Sequence, residues 1–416
     1  MDLIADRGRR VTIEELNTSR LLAHARKQAH QRNLDDMVIV DVDAHHYENE
    51  NYDEFLPYME NDVLRQLSLS SRTRTNRVGI TPNQVGYQDM GGRVTRYPMR
   101  SSEKTDQTGA QRDIQLGHRW MDAMSVDYSC LFPTGMLNIG LHPQKEMEVE
   151  LCWAYNRWLT EKVLPEAGGR FYSMLCLPFS DPEASLRHVE TFGDRKHVTG
   201  FMITSVRSLP VHHNAYMKVY RAMEERGLAL CFHSAINIGE PVFKSLNRFA
   251  SVHALGFPFY NMVHLTNWVT NGLGERFPKL PVIWIEGGLA WIAFLMQRMQ
   301  RLDHEYMLRT SEYPLLKTKP SDYMRRMYYA SQPMERVDEV ALECTFRMIS
   351  AETQLLYASD YPHWDFDLPS TVWDLPFLSE KAKHNILGGT AARLFKLPPR
   401  NEKQRQNLEK FGNLVA

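Results

Sequence analysis

Eight short apolar runs punctuate this chain, and helical patterns lie between most of them. The first covers residues 37–43, and the others cover 126–133, 171–178, 198–204, 228–233, 282–286, 327–330 and 355–360. Apolar spacing predicts helices over 146–163, 182–193, 215–227, 262–272, 290–309 and 381–396, with Pro182 in a first turn and Gly227 as a C-terminal cap. Strands alternating with helices predict an α/β chain, and eight of them predict a (β/α)8 TIM barrel. A doubly wound sheet is the competing architecture. One large barrel fits within 416 residues, and 43% hydrophobic content supplies its core.

The barrel is expected over 37–397, with an N-terminal helical arm at 1–36 and a tail at 398–416. The arm starts near Thr12-Ile13-Glu14-Glu15 and packs on the surface or on a neighbouring subunit. A long polar insertion follows the first strand at about 66–118. It carries Arg93, Arg96 and Arg100 and reads as a lid or a solvated loop. Residues 306–323 are a second candidate cover for the barrel mouth. The arm and the start of the 290–309 helix suggest an oligomer, with copies of itself or with a homologous subunit.

Net charge of −1 argues against nucleic acid or an anionic membrane as partner. No stretch approaches 18 consecutive apolar residues, and the N-terminus has no apolar leader, so the expected location is the cytoplasm. The five cysteines (Cys130, Cys152, Cys176, Cys231, Cys344) show no CxxC spacing and read as small buried side chains in a reducing compartment.

Chemistry in such barrels sits at the C-terminal strand ends. Here those ends are polar. The first run closes in Asp43-x-His45, and residues two apart on a strand share one face, so this pair can hold one metal ion. The fifth ends in His233, the sixth in Glu286-Gly287-Gly288, and the eighth in Asp360-Tyr361-Pro362-His363. Singly, each has a structural explanation: His233 a hydrogen-bonded core histidine, Asp360 a turn cap, Glu286 one half of an ion pair. Together they converge on Asp43, His45, His233 and Asp360, a His/carboxylate set suited to a catalytic metal with open positions. Trp284, Trp291, Phe294, Tyr361 and Trp364 are either core or the walls of an aromatic pocket.

This pattern resembles the amidohydrolase superfamily, in its amidohydrolase-2 branch. The resemblance rests on the DxDxH segment Asp41–His45, His233, Arg276-Phe277-Pro278, the segment from Tyr357 to His363, and the Leu387-to-Phe395 ending with Thr390 where the family often has Asn. It implies a small-molecule substrate and a divalent Zn, Mn or Fe ion held by Asp43, His45, His233 and Asp360. Asp43 stands where many members have a first His. Asp360 would be both ligand and proton carrier, and Glu286 stands where related decarboxylases commonly carry a catalytic His.

The first reading is hydrolysis by metal-activated water, with Asp360 and Glu286 as catalytic residues. The alternative is an oxygen-activating hydroxylase of a small amino acid or aromatic acid. It would use a dinuclear Mn/Fe or Fe/Fe site, with Glu286 as a bridging ligand. His264, Glu48 and His363 are additional candidate ligands or substrate contacts. A second alternative is a non-oxidative decarboxylase. A non-enzymatic subunit with a structural metal fits less well with a retained Asp360.

Overall fold

The computed structural model describes residues 18–75, 103–106, 109–204, 209–235, 240–243, 245–246, 249–306, 315–363 and 365–411. The start at Thr12, the three arginines of the insertion and Trp364 lie outside these residues, as do 307–314 of the second candidate cover.

Eight strands form one parallel sheet in sequence order: β1 (Val40–His46), β2 (Tyr128–Pro133), β3 (Phe171–Cys176), β4 (Val198–Ile203), β5 (Ala229–His233), β6 (Val282–Ile285), β7 (Tyr328–Ala330) and β8 (Leu355–Leu356). The sheet closes on itself. The Val42 amide donates to Tyr357 O at 3.0 Å, and the Asp360 amide donates to Asp43 O at 2.7 Å. Ala44 bridges Tyr361 in parallel. The expected (β/α)8 barrel is therefore the observed fold.

Local chemistry sets the helix ends. Asp181 caps the helix Pro182–Phe192, accepting from the Glu183 and Ala184 amides. Gly227, at φ 68°, ends Met217–Arg226 in the left-handed conformation that glycine adopts without a Cβ clash. The helix expected over 262–272 begins much earlier and runs Phe249–Thr270, through Pro258. It is apolar along most of its length, so no amphipathic stripe marks its start. The last expected helix divides into Glu380–His384, a π turn Asn385–Gly389 and Thr390–Leu394. Gly388 explains the crowding there: a Cβ would lie 2.1 Å from Val38 O, beside β1.

The arm contributes the helix Thr18–Gln31, which buries Leu21, Ala25 and Ala29 at four-residue spacing. It packs against Arg112–Met124 of the same chain. The tail contributes Glu402–Phe411, whose buried Gln404 donates to Met37 O at 3.2 Å and to Asp127 Oδ2 at 3.0 Å. Asp127 in turn accepts from the Ile39 amide, so Gln404 ties this helix to the chain at the starts of β1 and β2, opposite the strand C-termini. Among the described residues no helix is long and apolar enough to cross a membrane.

Candidate metal centre

Alternation along β1 sorts its side chains. His46 faces outward, bonded to Tyr155 Oη at 2.8 Å and stacked on Trp158 of the surrounding helix Lys145–Trp158. Asp43 and His45 therefore face the axis. A bulge between Asp41 and Ala44 interrupts pairing with β2 beside Asp43, and bulges re-aim side chains at barrel rims. Asp41, on the far side of this shift, serves structure. It accepts from the Ser359 amide at 2.8 Å, from the Ser359 hydroxyl and from the Asp43 amide at 3.1 Å. Burial pushes its carboxyl up to about 7.

Above it the chemical groups crowd together. His45 Nε2 lies 3.2 Å from Asp43 Oδ1 and 3.3 Å from Asp360 Oδ1. His233 Nε2 lies 3.2 Å from the same Asp43 oxygen. His233 Nδ1 is 2.7 Å from Ser234 O, a carbonyl that only accepts, so Nδ1 carries the hydrogen in the neutral ring. The Nε2 lone pair then faces a carboxylate oxygen, an arrangement that a cation between them would relieve. His45 Nε2, Asp43 Oδ2, Asp360 Oδ2 and Glu286 Oε2 are buried without a hydrogen-bond partner among the described residues. Two donor triads emerge, Asp43/His45/His233 and His45/Asp360/His363.

The electrostatics agree. Burial and then the Glu286 and Asp43 charges push the Asp360 carboxyl well above the ordinary range. Burial and then Asp43 do the same to Glu286. Burial opposes ionisation of Asp43, but the His233 and His45 imidazoles outweigh it and hold that carboxyl well below its usual value. Burial lowers the His45 and His363 imidazoles. Three carboxyls in a dry pocket strongly favour a proton or a cation. The donor set of hard oxygens and imidazoles fits a divalent ion such as Mn, Fe or Zn.

Glu286 and Asp360 both sit at φ 60°, an uncommon conformation for residues with a Cβ. Glu286 directly follows β6, and Asp360 lies beyond β8 with its amide still bonded to Asp43 O. Glu286 Oε2 is 3.4 Å from His233 Nδ1, and its Oε1 is 3.8 Å from His363 Nδ1. The following loop is tight: a Cβ on Gly288, at φ 72°, would lie 2.2 Å from Glu335 Oε1, while Glu335 accepts from the Leu289 amide.

Of the three additional candidates, only His363 joins the cluster. Its Nδ1 is 2.7 Å from Asp360 Oδ1, and its ring stacks on His45 with centroids 4.1 Å apart. Glu48 stands apart from both triads. Its two oxygens accept from the Thr134 and Met136 amides at 2.9 and 2.8 Å, capping the turn after β2. His264 is buried on the helix side of the barrel against Phe232, outside both triads. Among the aromatic candidates, Trp284 is core, stacked on Phe232, and Tyr361 packs on Trp120. Phe294 is exposed. Thr134 was not legible as a site residue. It follows β2 without any motif, yet its Oγ1 lies 3.2 Å from His363 Nε2.

Comparison with known proteins places the fold. The 5-carboxyvanillate decarboxylase of Sphingomonas paucimobilis is 21% identical with a TM-score of 0.63, over 87% of this chain and 100% of that one. The 2,6-dihydroxybenzoate decarboxylase of Rhizobium is 17% identical with a TM-score of 0.58, over 87% of this chain and 99% of that one. A dihydroxybenzoic acid decarboxylase of Polaromonas, solved with manganese and 2-nitroresorcinol, is 18% identical with a TM-score of 0.58, over 88% and 99%. At these identities the likeness is one of fold. No curated protein matches the chain. The amidohydrolase family model matches residues 121–397, which carry β2–β8 and the donors His233, Glu286, Asp360 and His363. The chain belongs to the amidohydrolase family.

Proposed function

We propose that the chain is a divalent-metal-dependent lyase that removes carbon dioxide from a small aromatic acid. The observation that carries the metal is the set of buried donor atoms at the barrel mouth that have no hydrogen-bond partner among the described residues. The reaction is supported by solved decarboxylases that share the fold over nearly their whole length, one of them with bound manganese. Hydrolysis leads when the sequence is read alone; these relatives move decarboxylation ahead of it.

Asp43, His45, His233 and Asp360 would hold the ion. When bound, it would supply positive charge to orient and polarise the substrate's oxygens. The carbon–carbon bond to the carboxylate breaks, its electron pair stays on the ring carbon, and that carbon takes a proton. Asp360 is the residue to deliver it, from its carboxyl oxygen. His363 Nδ1 at 2.7 Å and Thr134 Oγ1 beyond it make a path for reprotonation. Burial of Asp43, His45 and His233 keeps bulk water from the reacting carbon.

The test is to load the purified chain with Mn2+, incubate it without oxygen with benzoic acids bearing hydroxyl groups, and measure carbon dioxide. Oxygen-independent release supports the lyase. Absence of release with every acid that binds would rule it out.

One observation favours a second reading, the dinuclear oxygen-activating enzyme. Two donor triads share His45, and Glu286 turns one oxygen toward His233 and the other toward His363. Metal analysis decides between one ion and two. If Glu286 bridges two ions, Glu286→Gln should bring the stoichiometry toward one; an unchanged value removes this reading.

A further inference from the structure

Gln332 follows β7, between the strands that carry Glu286 and Asp360. It is 1% exposed, and among the described residues neither its Nε2 nor its Oε1 has a hydrogen-bond partner. Burying a carboxamide with both ends unsatisfied is costly, and native interiors rarely do it without a reason.

The barrel's alternation tells where this side chain faces. His233 faces the axis, so Phe232 before it faces the helices, where it stacks on Trp284 of β6. Trp284 pairs in register with Tyr329 of β7. Tyr329 therefore faces outward, and Ala330 inward. The ladder to β8 continues through Ser331, whose amide donates to Leu356 O at 2.9 Å. Carried two residues past Ala330, the last residue of β7, the same alternation turns Gln332 toward the axis, on the C-terminal side of the sheet that also carries the candidate metal donors.

We infer that Gln332 is a specificity-determining residue, whose carboxamide is kept unpaired to receive a substrate with a hydrogen-bond acceptor beside a donor. Nε2–H would donate to a carboxylate oxygen, and Oε1 would accept from an adjacent hydroxyl. This rests on the barrel mouth being the active site. Unlike the metal donors, a neutral amide discriminates by hydrogen bonding without adding charge, and a site built this way rejects analogues that leave it unpaired.

The test compares the Mn2+-loaded full chain with Gln332→Met, which keeps the side-chain length and removes both polar atoms. Calorimetry measures binding of 2-hydroxybenzoate and benzoate, and thermal melting is recorded without ligand. The expected variant melts at or above the wild type, because an unsatisfied amide has been removed, and keeps its manganese content. It binds 2-hydroxybenzoate about tenfold more weakly and loses preference for it over benzoate. A lower ligand-free melting temperature overturns the inference, since the amide then has structural partners. Unchanged affinity for 2-hydroxybenzoate overturns it as well. If the wild type binds neither acid, the aromatic-acid reading falls, and melting alone decides the role of Gln332. A second variant, Gln332→Glu, places a charge against the carboxylate and should bind 2-hydroxybenzoate still more weakly than Gln332→Met.

Discussion

Asp360 concentrates the chemistry of the mouth. It faces His45 and His363, and burial and neighbouring carboxylates favour its protonated form. Asp360→Asn keeps the shape and removes the acidic carboxyl proton. Turnover should fall by about 10²–10⁴-fold with an unchanged circular dichroism spectrum; full activity would remove Asp360 from the mechanism. Glu48 supplies a pH test away from the metal donors. Burial raises its carboxyl to about 7 from an ordinary 4.5. The folded chain thus holds that proton more tightly than the unfolded one. The stabilisation is complete below about pH 4.5 and is lost as pH rises through 7. Urea unfolding of wild type and Glu48→Gln should show the wild type losing stability relative to the variant between pH 5 and pH 8. The opposite slope would mean that the Thr134 and Met136 amides outweigh burial. Asp43, His45, His233 and Asp360 were legible because strand-end polar residues stand out from apolar runs. The surroundings of Glu48 were not: a carboxylate next to a strand looks the same whether it meets a metal or two backbone amides.

At the scale of elements, the weak seam is where β8 meets β1. β8 has two ladder residues, Leu355 and Leu356, and beside the backbone bonds that close the sheet Asp41 accepts from the Ser359 amide and hydroxyl. Ser359→Ala leaves Asp41 Oδ2, among the described residues, with a long bond from Ser129 at 3.4 Å. The expected loss is about 1–3 kcal/mol in chemical denaturation. A variant as stable as the wild type would show that the strand amides alone close the barrel. The first aspartate of the DxDxH segment is thus a fastener and the second a candidate ligand. Their spacing is identical, and only their neighbours distinguish them. The strands were legible from short apolar runs, whereas the early start of Phe249–Thr270 was hidden by its apolar surface and by Pro258, which normally argues against a helix interior.

For the whole molecule, a bound ion and the fold should be linked. Removing it leaves Asp43, Asp360 and Glu286 facing one another in a dry interior. Chelation is expected to lower the melting temperature and Mn2+ to restore it; at a hundredfold excess over the dissociation constant the ion adds about 2.7 kcal/mol of stability. An unchanged melting temperature would show that no ion is bound at this site.

By itself the sequence determined the barrel and its polar mouth, because hydrophobic period and strand-end chemistry are local properties written in consecutive residues. The tertiary structure alone decided which polar residues meet. Thr134 with His363, Asp41 with Ser359, and Gln332 with no partner among the described residues are outcomes of strand register and closure. These join or separate residues up to 318 positions apart. No local pattern encodes them, since the same side chain is a cap, a fastener or a ligand according to what the closed barrel places opposite it.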